Sequence, residues 1–519
     1  MSVGVFHNLI KKFRLSDNKI YIFILLFLGT IIAFFGMGSK SLWGDDIVSW
    51  YIVHQPNLVD LYNNSIVNHL PLYDFLLYFW IRILGNSEFI LRSLSAVFAI
   101  LTLPILYYFN KNFVSKFNSF FISFIYICYM TYTYNTQDVG RYSLYYLLAF
   151  SVLFCAVKLI EYPDRKKYFI PFSVSLFLIL LTHIYSLFLL SSLFLIFIIF
   201  FFVEKNFSHL KIFFSIVIID VLLVSPILLD YASLFTKRNG SLIDLVTIHT
   251  LIVFWYDLNY SSILLTLFGS IVFFPLLIVL YVHRSNKKIM FLTCFLILLV
   301  IQPLFLGFFI KIYQFHYFGY SIVLYTILLL FFLESFYKEL TTLDVTKIHF
   351  NFIRKPLNFL KSRNISISSI ILLVIILFQM YFAFYTVRST VEFYNGPSIE
   401  DWKGINTYIS SSIRPNDTIL FYPQYFILSF DYYFKLNNTR SELDISNPVF
   451  QVSSLFNSTG GNSIFIVTWF KPYVDYNLNS TLHQFIYKQK YNFNEPTQFD
   501  GSYKGSRLIV LQLKENFSI

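Results

Sequence analysis

Long apolar runs alternate along this chain with short polar segments. Eleven of the runs approach the length of about 20 residues that spans a hydrocarbon core. They predict crossings at 20–37, 89–109, 117–134, 142–160, 168–181, 184–203, 212–229, 261–282, 289–310, 315–334 and 365–385. A shorter run, 71–84, contains Arg82 and predicts an interfacial or re-entrant helix. After Arg388 the pattern changes: 400–409 and 423–435 predict helices, and 418–422, 464–469 and 508–513 predict strands. The predicted architecture is an α-helical polytopic membrane protein with about eleven transmembrane helices. Its membrane part is 1–387, with an external loop at 38–88. A small extracytoplasmic α/β domain follows at 388–519.

Composition supports the membrane reading. Charged residues are 13% of the chain and hydrophobic ones 57%, whereas soluble domains carry roughly 25% charge. The formal charge of +11 would fit a nucleic-acid partner if it formed one patch. It is instead divided among segments between apolar runs, such as 164–167, 283–288 and 338–363. That division follows the positive-inside rule and points to membrane lipids, with no nucleic acid. It places the N-terminus in the cytoplasm, the C-terminal domain outside and the chain in the plasma membrane. Cys128, Cys155 and Cys294 lie within apolar runs and read as core residues.

The segment 43–84 concentrates the candidate chemistry. Asp45 and Asp46 follow the first apolar run, where charge is costly to bury. One reading makes Asp45 the cap of a helix starting near Asp46. Another makes Asp45, with Asp46 beside it, a general base for a hydroxyl acceptor. A third uses Asp45 with Asp138 to hold a divalent ion, magnesium or manganese. A second cluster, Gln137-Asp138-Val139-Gly140-Arg141-Tyr142, falls at a predicted outer helix end. Arg141 there suits a phosphate, or it could pair with Asp138 to stabilise the helix end. His69 and Tyr73 start the interfacial helix, His183 turns a helical hairpin, and Lys311 and His316 end another outward run. The chain carries no Gly-rich phosphate loop, so a nucleotide cofactor is not expected.

These residues resemble the motifs of GT-C membrane glycosyltransferases, specifically the family 39 branch of protein O-mannosyltransferases and aminoarabinose transferases. The acidic pair Asp45-Asp46 is followed by His69-Leu70-Pro71-Leu72-Tyr73, then Gly85-Asn86-Ser87-Glu88-Phe89, then Leu91-Arg92-Ser93-Leu94-Ser95-Ala96. Asp46 stands where the branch usually has Glu, and Leu70 where it has Pro. Asp138 replaces the Glu of a Gln-Glu-Ala-Arg-x-Tyr motif, with Arg141 displaced by one position. His316-Tyr317 stands for Arg-Tyr. The resemblance implies transfer of a sugar from a polyprenyl (dolichyl or undecaprenyl) phosphate to a protein, lipid or glycan acceptor, with inversion and Asp45 as base. The competing expectations are a lipid-linked sugar transporter or flippase and a non-catalytic lipid-binding protein. A transporter predicts internal repeats and midplane charges. The sequence has no clear repeat, and its notable charges sit at predicted outer helix ends.

Overall fold

The structure is a computed structural model. It describes residues 17–205, 207–235, 247–259, 261–307, 319–341, 367–396, 398, 400–422, 426–434, 438–443, 451–452, 454–455, 463–470, 497–500 and 507–512. Lys311 and His316 lie outside the described residues.

The helical part runs α1 (Asp17–Phe34), α2 (Gly44–Val53), α3 (Leu58–Asn68), α4 (Leu72–Leu84), α5 (Glu88–Asn110), α6 (Lys116–Cys128), α7 (Met130–Gln137) and α8 (Tyr142–Glu161). It continues through α9 (Phe169–Leu180), α10 (Ser186–Val203), α11 (Phe207–Phe235), α12 (Ile248–Leu258), α13 (Ile263–Val282), α14 (Lys287–Gly307), α15 (Tyr320–Thr341) and α16 (Ile367–Asn395). Among the described residues seven helices are long and apolar enough to cross a membrane, or eight if the pair Thr250–Leu258 and Ile263–Ile271, bent by 92°, forms one span. The chain is a multi-pass membrane protein.

Three local differences from the sequence reading have physical causes. The run at 117–134 breaks at Tyr129, whose extended backbone separates α6 from the polar helix α7. The stretch 230–259, expected to be an external segment, contains α12, capped by the Thr247 side chain. The helix over the last predicted span continues to Asn395 rather than ending near 385, because nothing in 386–395 is a helix breaker.

Punctuation around the segment 38–88 follows from single residues. Gly85 ends α4 at φ +100°, a conformation that side chains with a Cβ resist. Ser87 then caps α5 by accepting from the Ile90 N–H at 3.3 Å. Helix α4 packs on α2, α3 and α5, and α5 packs along α1 and α8. The loop between α7 and α8 is thereby brought beside the first turn of α2.

The C-terminal unit begins with α17 (Trp402–Ser412), whose N-cap Asp401 accepts from the Gly404 N–H at 3.0 Å. After it come β1 (Thr418–Tyr422), α18 (Phe426–Tyr433), β2 (Thr439–Glu442), β3 (Ile464–Phe470), β4 (Thr497–Asp500) and β5 (Arg507–Gln512). They form one mixed sheet, ordered β2-β1-β3-β5-β4, with β1 parallel to both neighbours and β5 antiparallel to β3 and β4. Trp402, Ile405, Ile409, Phe426 and Phe430 bury against Ile419, Phe421, Phe465 and Val467. Each such burial stabilises the unit by roughly 1.5–3 kcal/mol. The other side of α18 rests on α2, so the sheet unit sits directly over the acidic helix.

Candidate active site

Helix α2 opens at Gly44 with Trp43 as its N-cap. Asp45 is therefore not the cap: both aspartates lie inside the first turn, where the helix dipole favours negative charge.

Asp46 is fully buried. Its Oδ1 accepts from the Val139 N–H at 2.6 Å, and its Oδ2 from Arg92 Nη2 at 3.3 Å and the Trp43 N–H at 3.4 Å. The buried Arg92 also donates to the carbonyls of Lys40 at 2.8 Å and Ser41 at 3.0 Å. Arg92 thus ties α5 to the segment entering α2. A buried carboxylate so compensated is expensive to disturb.

Asp138 caps the end of α7 and is also buried. Trp43 Nε1 donates to its Oδ1 at 3.0 Å, and it shares a side-chain hydrogen bond with Asp46. Burial, then the negative charge of Asp46, pushes the Asp138 carboxyl well above the usual range. Of the two carboxyls that share this hydrogen bond, Asp138 is the one pushed further toward its protonated form. A Cβ on Gly140 would stand 2.1 Å from Asp138 Oδ2. The glycine in this cluster is what lets that carboxyl turn inward. Tyr73 meets Ser95 at 2.8 Å, and Ser95 donates to the Gly140 carbonyl at 3.1 Å. Tyr73 is thus a buried brace for the 138–141 loop.

Asp45 differs from its neighbour. Its surface is open, yet protein closes round it on most sides. Loss of surrounding water pushes its carboxyl above the ordinary aspartate range. The Arg141 guanidinium opposes that rise and the Asp46 charge adds to it. Arg141, at the start of α8, lies 5.6 Å from the Tyr142 ring centroid. Tyr142 is 5.8 Å from the ring of the buried His183, which also packs on Tyr145 at 5.0 Å and Tyr185 at 5.4 Å. Arg141, whose charge acts on Asp45, is followed by the rings of Tyr142 and His183.

Two predicted site residues are engaged elsewhere. Gln137 Nε2 donates to the Phe35 carbonyl at 2.8 Å, tying α7 to the end of α1. His69 Nε2 lies 2.8 Å from Asp74 Oδ2, which also accepts from Ser65. The Leu72 N–H donates to the Leu181 carbonyl at 3.2 Å, which sets this pair beside the turn carrying His183.

The proposed metal pair does not fit a divalent ion. Asp138 is occupied by Trp43 and Asp46, and a guanidinium already balances Asp46. Among the described residues no three His, Cys, Asp or Glu side chains converge on a point.

Glu400 was not among the residues singled out from sequence. It is buried, accepts from Trp402 Nε1 at 2.7 Å and hydrogen-bonds the backbone N–H of Gly44. Burial, opposed by these donors and reinforced by Asp45, brings its carboxyl up to about 7. Its separation from Asp45 by 355 positions hides it from any motif search; the neighbouring Asp401-Trp402 cap was the available signal.

No family model matches the chain, and no curated protein matches it. Solved structures do. ArnT from Cupriavidus metallidurans in the apo state matches with a TM-score of 0.57 at 11% identity, covering 96% of this chain and 98% of that one. The same protein bound to undecaprenyl phosphate gives 0.51 over the same shares, also at 11% identity. The Archaeoglobus fulgidus oligosaccharyltransferase tethered to an acceptor peptide with the NVT sequon gives 0.50 at 11% identity, covering 88% of this chain and 69% of that one. The likeness is one of architecture, and it shows that this chain has the GT-C fold.

Proposed function

We propose that the chain is a membrane glycosyltransferase that moves a sugar from a polyprenyl phosphate to an acceptor hydroxyl on the extracytoplasmic face. One observation carries this reading: of the two adjacent aspartates, only Asp45 is open, and a cation acts on it. Its raised carboxyl is more basic than an ordinary aspartate, which suits it to take a proton from a hydroxyl. The acceptor oxygen attacks the anomeric carbon as its proton passes to Asp45. The bond to the carrier oxygen breaks with inversion, and the polyprenyl phosphate leaves. Arg141 supplies positive charge for that phosphate. Tyr142 and His183 extend the site along the carrier side. Asp46 and Asp138 shape the first turn of α2 rather than touch substrate. The architecture shared with a protein crystallised with undecaprenyl phosphate supports the donor class.

The test incubates purified protein with a panel of radiolabelled polyprenyl-phosphate sugars and a mixture of protein, lipid and glycan acceptors. Label transferred by wild type but not by Asp45→Asn supports the reading. Label moved across a vesicle membrane without transfer would replace it with a flippase.

A further inference from the structure

We infer that Glu400 is a positioning residue of the site: from the C-terminal unit, its carboxylate fixes the first turn of α2, the turn that bears Asp45. The inference rests on the proposed role of Asp45. Gly44 is the first residue of α2, so its N–H has no partner within the helix. Glu400 fills that vacancy from a segment distant in sequence. Its other donor, the Trp402 indole, is fully buried in the core of the C-terminal unit. One carboxylate therefore joins the hydrophobic core of the sheet unit to the turn bearing Asp45.

The surrounding contacts hold that join in register. The Lys403 N–H donates to Ser41 Oγ at 3.1 Å, and Lys403 Nζ to the Gly38 carbonyl at 2.7 Å and Glu88 Oε2 at 2.6 Å. The Ser41 N–H donates to Ser398 Oγ at 3.1 Å, and the Leu42 N–H to the Tyr433 hydroxyl at 2.7 Å. The segment entering α2 is thus gripped by residues 398–403 and by α18. Among the charged groups that face this point, Asp45 and Asp46 of α2 act on Glu400, while Arg141 and Asp46 act on Asp45. Arg92 from α5 balances Asp46. Glu400 and Asp45 are like charges brought together by two separate parts of the chain. The ionised Asp45 makes Glu400 hold its proton longer.

The test is a double-mutant cycle read by thermal unfolding in detergent, which needs no enzymatic activity. Wild type, Asp45→Asn, Glu400→Gln and the double variant are compared at pH 5 and pH 8.5. At pH 8.5 both carboxyls are ionised, so either single change relieves repulsion and the double change adds less than the sum of the two, by a degree or more in Tm. At pH 5 Glu400 is neutral, and the effects add. Additivity at both values overturns the inference. A second arm measures sugar transfer by Glu400→Gln and Glu400→Asp. The inference expects a several-fold lower kcat for Gln at unchanged donor KM, partly restored by Asp; a wild-type kcat for Gln overturns it. If wild type transfers no sugar from any donor, the proposed reaction fails while the unfolding cycle still decides the coupling.

Discussion

Asp45 and Asp46 are adjacent in the chain and stand in opposite environments: Asp46 is fully buried against Arg92 at 3.3 Å, while Asp45 is open beside Arg141. A helical turn separates consecutive side chains by about 100°, which divides the pair between support and reaction.

Asp45→Asn is expected to lower transfer by about 10²–10⁴-fold, because it removes the proton acceptor while keeping size and most hydrogen bonding. Donor binding stays near normal. Single-turnover transfer and lipid-binding measurements on the same preparation check both halves. A rate within about threefold of wild type would take the base role from Asp45.

The pH profile follows from the same carboxylate. Asp45 acts as base only when ionised, and burial raises its carboxyl. Activity is therefore expected to fall on acidification at a pH above the ordinary aspartate range. An acid limb centred near 3.9, the unperturbed value, would contradict the loss of surrounding water that raises this carboxyl.

Arg141→Ala is expected to weaken donor affinity by at least tenfold, since a charge-assisted contact contributes about 1.5–3 kcal/mol. Titration with a polyprenyl-phosphate analogue measures it. Arg141→Lys recovers part of the loss by keeping the charge without the planar fork. Unchanged affinity in folded Arg141→Ala would remove Arg141 from the donor site.

Arg92→Met is expected to destabilise the protein by about 3–5 kcal/mol, because it leaves Asp46 buried without its cation. Thermal unfolding checks this, and adding Asp46→Asn to Arg92→Met should restore part of the loss. An Arg92→Met protein that melts like wild type would mean the ion pair contributes nothing.

Glu400 gives a stability signature of defined sign. Its carboxyl lies at about 7 in the folded chain against an ordinary 4.5, so the folded state binds the proton more tightly. That contribution is fully present at low pH and is lost as pH rises from about 4.5 to about 7. It is on the order of 3 kcal/mol. Glu400→Gln should flatten the difference, and unfolding scans between pH 4 and 8 compare the two. Parallel curves for wild type and variant would contradict it.

Much of the helical frame was legible because apolar periodicity and length carry it. The spans at 142–160 and 184–203 meet α8 and α10 closely. Strand β1 was also readable, as a short hydrophobic run after a Pro-Asn-Asp turn. Strands β2 and β4, with sequences TRSE and TQFD, were not, since at the sheet's two edges they carry little apolar pattern. The site was half legible. Asp45 and Arg141 were singled out by position and residue type, and the Arg141 guanidinium does act on Asp45. The fate of Asp46 depends on the Val139 N–H and on Arg92, contacts that only the packed chain creates. Arg92 stood in a recognised motif without a role, and Glu88 did too until Lys403 was seen beside it.

Helix α16 has 29 residues, about 43 Å at 1.5 Å per residue, against a hydrocarbon core near 30 Å. Its upper end is stapled to the end of α1: Tyr394 donates to the Ile32 carbonyl and stacks edge-on with Phe35, while Lys40 donates to the Phe393 carbonyl. The helix is therefore a ruler with a phase as well as a length. One residue inserted midway would turn everything above it by about 100° and carry Tyr394 off its partner. Four inserted residues would nearly restore the angle but lift the staple by about 6 Å. The height and bearing of the sheet unit relative to the helices are thus set by a residue count made before its first strand.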